Sequence, residues 1–301
     1  MNGGDRHLRV LVTGAGGFVG RRVLLRHPAV WDVVALSRQE LAPYDGVQAV
    51  RLEAVEAVLP PEILDPFDAV IHLAGNSDHG LATREPWRDV AATAAVAAAL
   101  LTRVQTRRVV VLSSAAVYAG LEGPVGPDLC IDPTMPYALS KRYVEGLVGD
   151  LVRHSRIDGG LVLRLYNVFG PGERASRLIP RVVAAAREGR KFQLSGDPHS
   201  LSDPLYIDDV VDVLIAAVES SLSGTLDLCG GDPTALLDQV GRIAVALDLP
   251  IPEIESEPDP DQTPIRFWSD PKPTLRALDL SPFITFPAAV RHYGLEVGWL
   301  S

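Results

Sequence analysis

An apolar, β-branched run, Leu8–Thr13, is followed without a spacer by Gly14, Gly16, Gly17 and Gly20, and then by an apolar-periodic stretch ending near His27. That order predicts a strand, a tight turn and a helix. Glycines are needed there because the backbone must turn sharply, come close to a bound anion and let the helix pack tightly on the strand. The free amides and dipole at the start of such a helix favour negative charge. A dinucleotide pyrophosphate is the ligand class that fits, with Gly14, Gly16, Gly17, Phe18, Val19 and Gly20 as its contacts. The unit also constrains the chain beyond it, because a parallel strand must be reached through a right-handed crossover.

The rest of the first half obeys that constraint. Short apolar runs near 32–37, 47–52, 68–73, 107–113 and 160–165 alternate with helical stretches near 83–104 and 136–154. The prediction is an α/β fold, a doubly wound parallel Rossmann sheet with a smaller C-terminal substrate lobe. Residues 1–165, joined by 205–223, are assigned to the dinucleotide-binding domain, and 166–204 with 224–301 to the lobe. Past Asn167, Gly and Pro punctuate shorter elements, with a helix near 177–188. The Pro- and acid-rich segment Pro250–Pro264 reads as a solvated connection around a short strand. With 47% hydrophobic and 22% charged residues, the 301-residue chain can bury a sizeable core.

Tyr137-Ala-Leu-Ser-Lys141 sets a phenol and an ammonium four residues apart, on one face of a helix. The lysine is informative because the chain has only three Lys among 28 basic residues. An ammonium is a compact point charge on a flexible stem, which a guanidinium is not. A phenol ordinarily titrates near about 10, too high for a base at neutral pH, so a positive charge must stabilise its phenolate. Tyr137 is thus the candidate general acid/base and Lys141 its activator. Ser114, 23 residues upstream at the end of a predicted strand, is placed to hold the reacting oxygen in line. The trio suits hydride transfer, in which a proton moves at oxygen as hydride moves at carbon.

A net charge of −10 opposes binding to nucleic acid or an anionic membrane. No charged-then-apolar leader and no apolar run long enough to span a bilayer is evident, so a cytoplasmic protein is expected. Cys130 and Cys229 form no disulfide framework and read as inert thiols. His72, on a buried-looking strand, reads as a core histidine, and the other six His show no metal-ligand spacing.

Further runs stand in order along the chain: Asp68-Ala-Val-Ile-His72-Leu-Ala-Gly75, Ser113-Ser114-Ala-Ala-Val117-Tyr118, Arg164-x-Tyr-Asn167-Val-Phe-Gly170-Pro-Gly172 and Tyr206-Ile-Asp208-Asp209-Val210. With the glycine turn and the Tyr–Lys pair, they make the chain resemble the extended short-chain dehydrogenases/reductases of the NAD-dependent epimerase/dehydratase family over nearly its whole length. The resemblance implies that Lys141 also bonds the nicotinamide ribose, that Leu73, Ala74 and Gly75 line the dinucleotide, and that Glu53 lies near the adenine. It places Asn76, Ser114, Ala115 and Asn167 at the substrate. Members that dehydrate or decarboxylate sugars carry an acid just after the catalytic Ser/Thr, where this chain has Ala115 and Ala116. An Asn usual near the nicotinamide is replaced by Ala91-Ala92-Thr93.

At the end of the second strand, Ser37 and Arg38 stand where an acidic residue would select NAD, so NADP(H) is expected, with NAD(H) the alternative. The two diphosphate arginines of the family are missing: Ser202 holds one place, and Pro258–Pro264 has none. Arg174, Arg177, Arg181 and Arg266 are the replacements considered, and Arg177, in the first turn of the helix near 177–188, is the expected anion contact. The function expected is ketoreduction of a keto sugar, nucleotide-linked or smaller; a nucleotide-sugar 4-epimerase is the alternative. A non-catalytic dinucleotide-binding scaffold is the reading from another class. A homodimer through helix 83–104 and the Tyr137 helix is implied by resemblance.

Overall fold

The computed structural model describes residues 7–54, 59–257 and 264–300. Seven strands, β1 (Leu8–Thr13), β2 (Trp31–Ser37), β3 (Val47–Arg51), β4 (Phe67–His72), β5 (Thr106–Ser114), β6 (Gly159–Leu165) and β7 (Gly224–Leu228), form one sheet in the order β7-β6-β5-β4-β1-β2-β3. Every pairing in it is parallel. The expected doubly wound sheet is therefore present. Its order reverses between β1 and β4, which opens a crevice at their carboxyl ends.

Both faces of the sheet are covered, so the strands are apolar throughout. Val10, Val12, Val33 and Ala35 pack with Val210, Val213 and Leu214 on one face, while Leu11, Val34 and Val70 pack with Leu100, Val144 and Val148 on the other. The first face carries α1 (Phe18–Arg26). The second carries a broken helix: α2 (His79–Arg84), α3 (Pro86–Val90), a π-helical turn at Ala91–Ala95 and α4 (Val96–Leu101), followed by α5 (Pro136–Arg153). The sequence predicts one helix over 83–104. Pro86 has no N–H for the hydrogen-bond ladder, so a new helix starts there, and the wide turn at 91–95 interrupts it again.

The lobe contains α6 (Leu178–Glu188), α8 (Leu236–Ala246) and α10 (Phe286–Glu296), while α7 (Ile207–Glu219) returns to the sheet and α9 (Lys272–Ala277) packs near β7. Phe169, Ile179, Val182, Phe192, Tyr206, Val240 and Phe286 make its core. The sequence assigns Gly224–Leu228 to this lobe. It instead pairs with β6 as the edge of the large sheet, because Leu228 is fully buried there. Within Pro250–Pro264 a strand forms at Ile254–Glu257, and residues 258–263 lie outside the described residues. Among the described residues, no helix is long and apolar enough to cross a membrane, and no His/Cys/Asp/Glu group could hold a metal ion.

A buried ionic network ties α5 to the sheet. Arg164 of β6 donates Nε to Glu145 Oε1 at 3.0 Å and Nη2 to Glu145 Oε2 at 2.9 Å, with side chains 4% and 2% exposed. Ser113 of β5 donates to Glu145 at 2.6 Å, and Arg164 Nη1 donates to the Tyr118 hydroxyl at 2.7 Å. Tyr118 in turn donates to Asp227 of β7 at 2.8 Å, which also accepts from Ser269 at 2.7 Å. Removing one member strands a charge in the interior. Glu145→Ala is expected to lower the unfolding free energy in urea by about 3–5 kcal/mol, and a loss under about 1 kcal/mol would mean Arg164 finds another partner or water.

Candidate active site

At the crevice between β1 and β4, Gly14 has φ +69°, and a Cβ on it would stand 2.6 Å from the Ala74 nitrogen. A Cβ on Gly20 would stand 2.4 Å from the Gly14 carbonyl oxygen. Neither position admits a side chain, which lets the turn close on the exit of β4 and α1 lie against the turn. No side chain caps α1, so its dipole and first amides are available to an anion. Leu73 N donates to the Thr13 carbonyl at 3.1 Å and Ala74 N to Thr13 Oγ1 at 3.4 Å, fixing Leu73, Ala74 and Gly75 beside the turn. These residues form a cradle of close-set backbone around the turn. His72 Nδ1 meets Thr13 Oγ1 at 2.9 Å, and burial pushes its pKa down to about 3, so it is a neutral core residue as the sequence implies.

Ser37 is buried, accepts a hydrogen bond from Gln39 N at 3.1 Å and faces the turn, since a Cβ on Gly16 would stand 2.8 Å from its Oγ. Arg38 is exposed. Glu53, assigned to the adenine, is 73% exposed and paired with Arg51 at 2.5 Å.

Ser114 ends β5 and its Oγ accepts from Ala116 N at 3.1 Å. Tyr137 is the second residue of α5 and is buried. Lys141, one turn later, places Nζ 5.7 Å from the Tyr137 ring centroid and donates to the Leu112 carbonyl of β5 at 3.4 Å. A Cβ on Gly75 would lie 3.6 Å from that Nζ, so the dinucleotide segment and the Tyr–Lys pair converge. Thr93, in the π-helical turn, is buried and accepts from Asn76 N at 3.0 Å. The Asn76 side chain, expected at the substrate, is used by its own loop and by α3: Nδ2 donates to the Asp78 carbonyl and to Asp89 Oδ1, both at 2.8 Å, and Oδ1 accepts from Asp78 N at 2.8 Å. Ala115 packs into a small core with Tyr118 and Phe267 and brings no polar group.

One neighbour of Tyr137 carries no sequence signal. The His79 ring stacks on the Tyr137 ring with centroids 4.1 Å apart and 28° between planes. A single histidine opening a six-residue helix after a strand has no periodicity or partner spacing to mark it.

In the lobe, a cavity of about 220 Å³ is lined by Asn167, Glu173, Arg177, Ser202 and Gln239 among others. Asn167 Nδ2 donates to Ser202 Oγ at 3.0 Å. Arg177 is the N-cap of α6, one residue before the first turn where the sequence puts it. Two of the other replacements are occupied elsewhere: Arg181 lies over Phe192 and donates to the Gln193 carbonyl, and Arg266 pairs with Asp197 at 3.4 Å, while Arg174 is exposed near Asp78. Glu173 has a buried Oε1 with no partner, and burial pushes its carboxyl up to about 7, against the opposing pull of Arg177 and a hydrogen bond from Tyr293.

Residues 10–226 match the family model described as the NAD dependent epimerase/dehydratase family. The UDP-glucuronate 4-epimerase of Thermodesulfobacterium geofontis is 26% identical over 77% of this chain and 78% of its own. The dTDP-glucose 4,6-dehydratase of Streptomyces griseus is 30% identical over 75% of this chain and 74% of its own. Among solved structures, UDP-glucuronic acid 4-epimerase from Bacillus cereus, in complex with UDP-glucuronic acid and NAD, superposes with a TM-score of 0.84 at 21% identity, covering 96% of this chain and 100% of that one. That last likeness concerns the fold.

Glu173 gives the cavity a pH signature. Its folded pKa lies above the ordinary carboxylate value, so between about pH 4.5 and 7 the folded protein holds more protons than the unfolded chain, and stability falls as pH rises through that window. Glu173→Gln cannot ionise. The variant is expected to gain about 1–3 kcal/mol relative to wild type between pH 5 and 8 in urea unfolding, and parallel curves would place the Glu173 carboxyl in water.

Proposed function

Because the chain belongs to the NAD-dependent epimerase/dehydratase family, we propose that it is a nucleotide-sugar 4-epimerase working with bound NAD. The observation that carries this reading is a single acid/base, Tyr137, with Lys141 one turn along α5 and Ser114 at the end of β5, and Ala115 and Ala116 where a second acid would have to stand. Eliminating water needs an additional group to protonate the leaving hydroxyl, whereas taking a proton from one oxygen and returning it needs only one. Bound NAD supplies the acceptor and donor of a hydride at the sugar carbon. Tyr137 takes the proton of the 4-hydroxyl as that carbon is oxidised, with Lys141 stabilising the phenolate and Ser114 holding the oxygen in line. When the ketone presents its other face, Tyr137 returns the proton.

Ketoreduction, the first expectation from the sequence, uses the same three residues. The named activity of the UDP-glucuronate relative moves the reading to epimerisation. NAD replaces the expected NADP in this reading because the solved Bacillus cereus relative carries NAD. The substrate proposed is a UDP-sugar. Arg177 meets its diphosphate, assisted by the dipole of α6. A homodimer is proposed through α3 and α5, which leave Trp87 66%, Val90 51%, Leu139 50% and Tyr143 50% exposed side by side. Sedimentation should give twice the monomer mass, and Trp87→Asp should return it to the monomer.

The test of function is incubation of the NAD-loaded protein with UDP-glucuronate, following the 4-epimer by proton NMR. Conversion without net release of NADH is expected, with Tyr137→Phe slowing it about 10²–10⁴-fold while NAD affinity holds. Arg177→Ala should raise KM about tenfold and leave kcat nearly unchanged. Stoichiometric consumption of added NADPH with a 4-keto sugar nucleotide, and no epimerisation, would restore ketoreduction. Absence of UDP binding by calorimetry at millimolar concentration would remove the nucleotide.

A further inference from the structure

We propose that His79 is a positioning residue for Tyr137: its imidazole lies flat on the phenol, fixes the ring and so the direction of the hydroxyl, and forms the wall that the sugar meets. This rests on the reading of Tyr137 as the acid/base. The stack is close, 4.1 Å between centroids at 28°, and it covers a face of the tyrosine while His79 keeps its outer side exposed. The histidine is not on a loose loop. It opens α2, whose N-cap Asp78 accepts from Leu81 N at 3.0 Å, and the preceding residues are held by the three Asn76 side-chain bonds and by Thr93.

The charged groups facing the imidazole come from every side. Lys141 of α5 and Arg177 at the cap of α6 are cationic; Asp78 on its own loop and Asp89 on α3 are anionic. Desolvation where the ring lies against its neighbours, with Arg177 and Lys141, holds the His79 pKa below the ordinary histidine value, and the two aspartates oppose that only in part. At neutral pH the ring is therefore uncharged, a donor at one nitrogen and an acceptor at the other. That leaves Lys141 as the cation assigned to the phenolate. In acid the imidazolium would add a third positive charge beside Lys141 and Arg177, and the tyrosine it covers would feel it.

The experiment compares His79→Ala and His79→Phe on the NAD-loaded protein with UDP-glucuronate, with Tyr137→Phe in parallel. Loss of the ring in His79→Ala should lower kcat about tenfold or more, with NAD affinity and the thermal midpoint near wild type. His79→Phe keeps a flat ring and should recover most of that rate at neutral pH. The wild-type profile of kcat against pH should bend on its acid side below the ordinary histidine range, and the bend should be absent in His79→Phe. A reading independent of turnover is the NMR signal of the ring-labelled tyrosine that vanishes in Tyr137→Phe. That signal should follow the His79 titration and lose the dependence in His79→Phe. A wild-type or raised kcat in His79→Ala, or a Tyr137 signal indifferent to His79, overturns the proposal. If Tyr137→Phe turns over normally, the acid/base reading itself fails; if Tyr137→Phe is inactive and His79→Ala is not, only the role of His79 falls.

Discussion

The bidentate contact between Arg164 and Glu145 sets where the chemistry can occur. Glu145 stands on α5 one turn beyond Lys141, and Arg164 lies on β6, with Ser113 of β5 bonded to the same carboxylate. A helix packed on a sheet by apolar contacts alone can slide, because the hydrophobic effect has no direction. Three hydrogen bonds from the sheet to one buried carboxylate fix both the rotation of α5 and its height on the sheet. Ser113 immediately precedes Ser114, so the same anchor locates the strand end that carries the serine and the helix that carries Tyr137 and Lys141.

A second constraint acts across the switch point of the sheet. Thr13 is bonded to His72 on β4 and to Ala74 beyond it, which pulls the exit of β4 against the glycine turn. Gly14 then has no room for a Cβ, and Gly75 passes within reach of Lys141. The cradle and the Tyr–Lys pair are thus parts of one packed assembly, and a change in the turn would reach Lys141 through closely packed backbone.

How much of the fold is legible in the sequence depends on how local each cause is. β1, its glycine turn and α1 are legible because apolar period, chain reversal and close packing all leave marks within twenty residues. The same holds for the Tyr–Lys spacing, which needs only one helical turn. The interruption of the helix expected over 83–104 is half legible: Pro86 announces it, whereas the π-helical turn at Ala91–Ala95, whose Thr93 accepts from the Asn76 amide of another element, has no local mark in an alanine-rich run. The placement of Gly224–Leu228 is not legible, since a five-residue strand declares its partner only when β6 offers an open edge. Asn76 shows the limit of reasoning by position. Its residue type suits a substrate contact, but the Asp78 turn and buried Asp89 use up its amide.

In a chain of net charge −10, the placement of positive charge decides which anion can be held. The crevice offers the dipole of α1 and the ammonium of Lys141, and the lobe offers Arg177 at the cap of α6. Around Arg177 the other groups are kept nearly neutral: Asn167 and Ser202 bond each other, and Glu173, pushed up to about 7, carries only part of a charge at neutral pH. An ionised Glu173 would neutralise the guanidinium, so its burial leaves more of the Arg177 charge uncompensated. Ser202, standing where the resemblance leads one to expect an arginine, opens space in the same cavity instead of filling it with a second fork. One guanidinium and one helix dipole grip an anion less tightly than two bidentate forks. In the epimerase proposed above, a grip of that kind would leave the sugar end free to turn between its two faces, the motion that returning a hydride to the opposite side of a ketone demands.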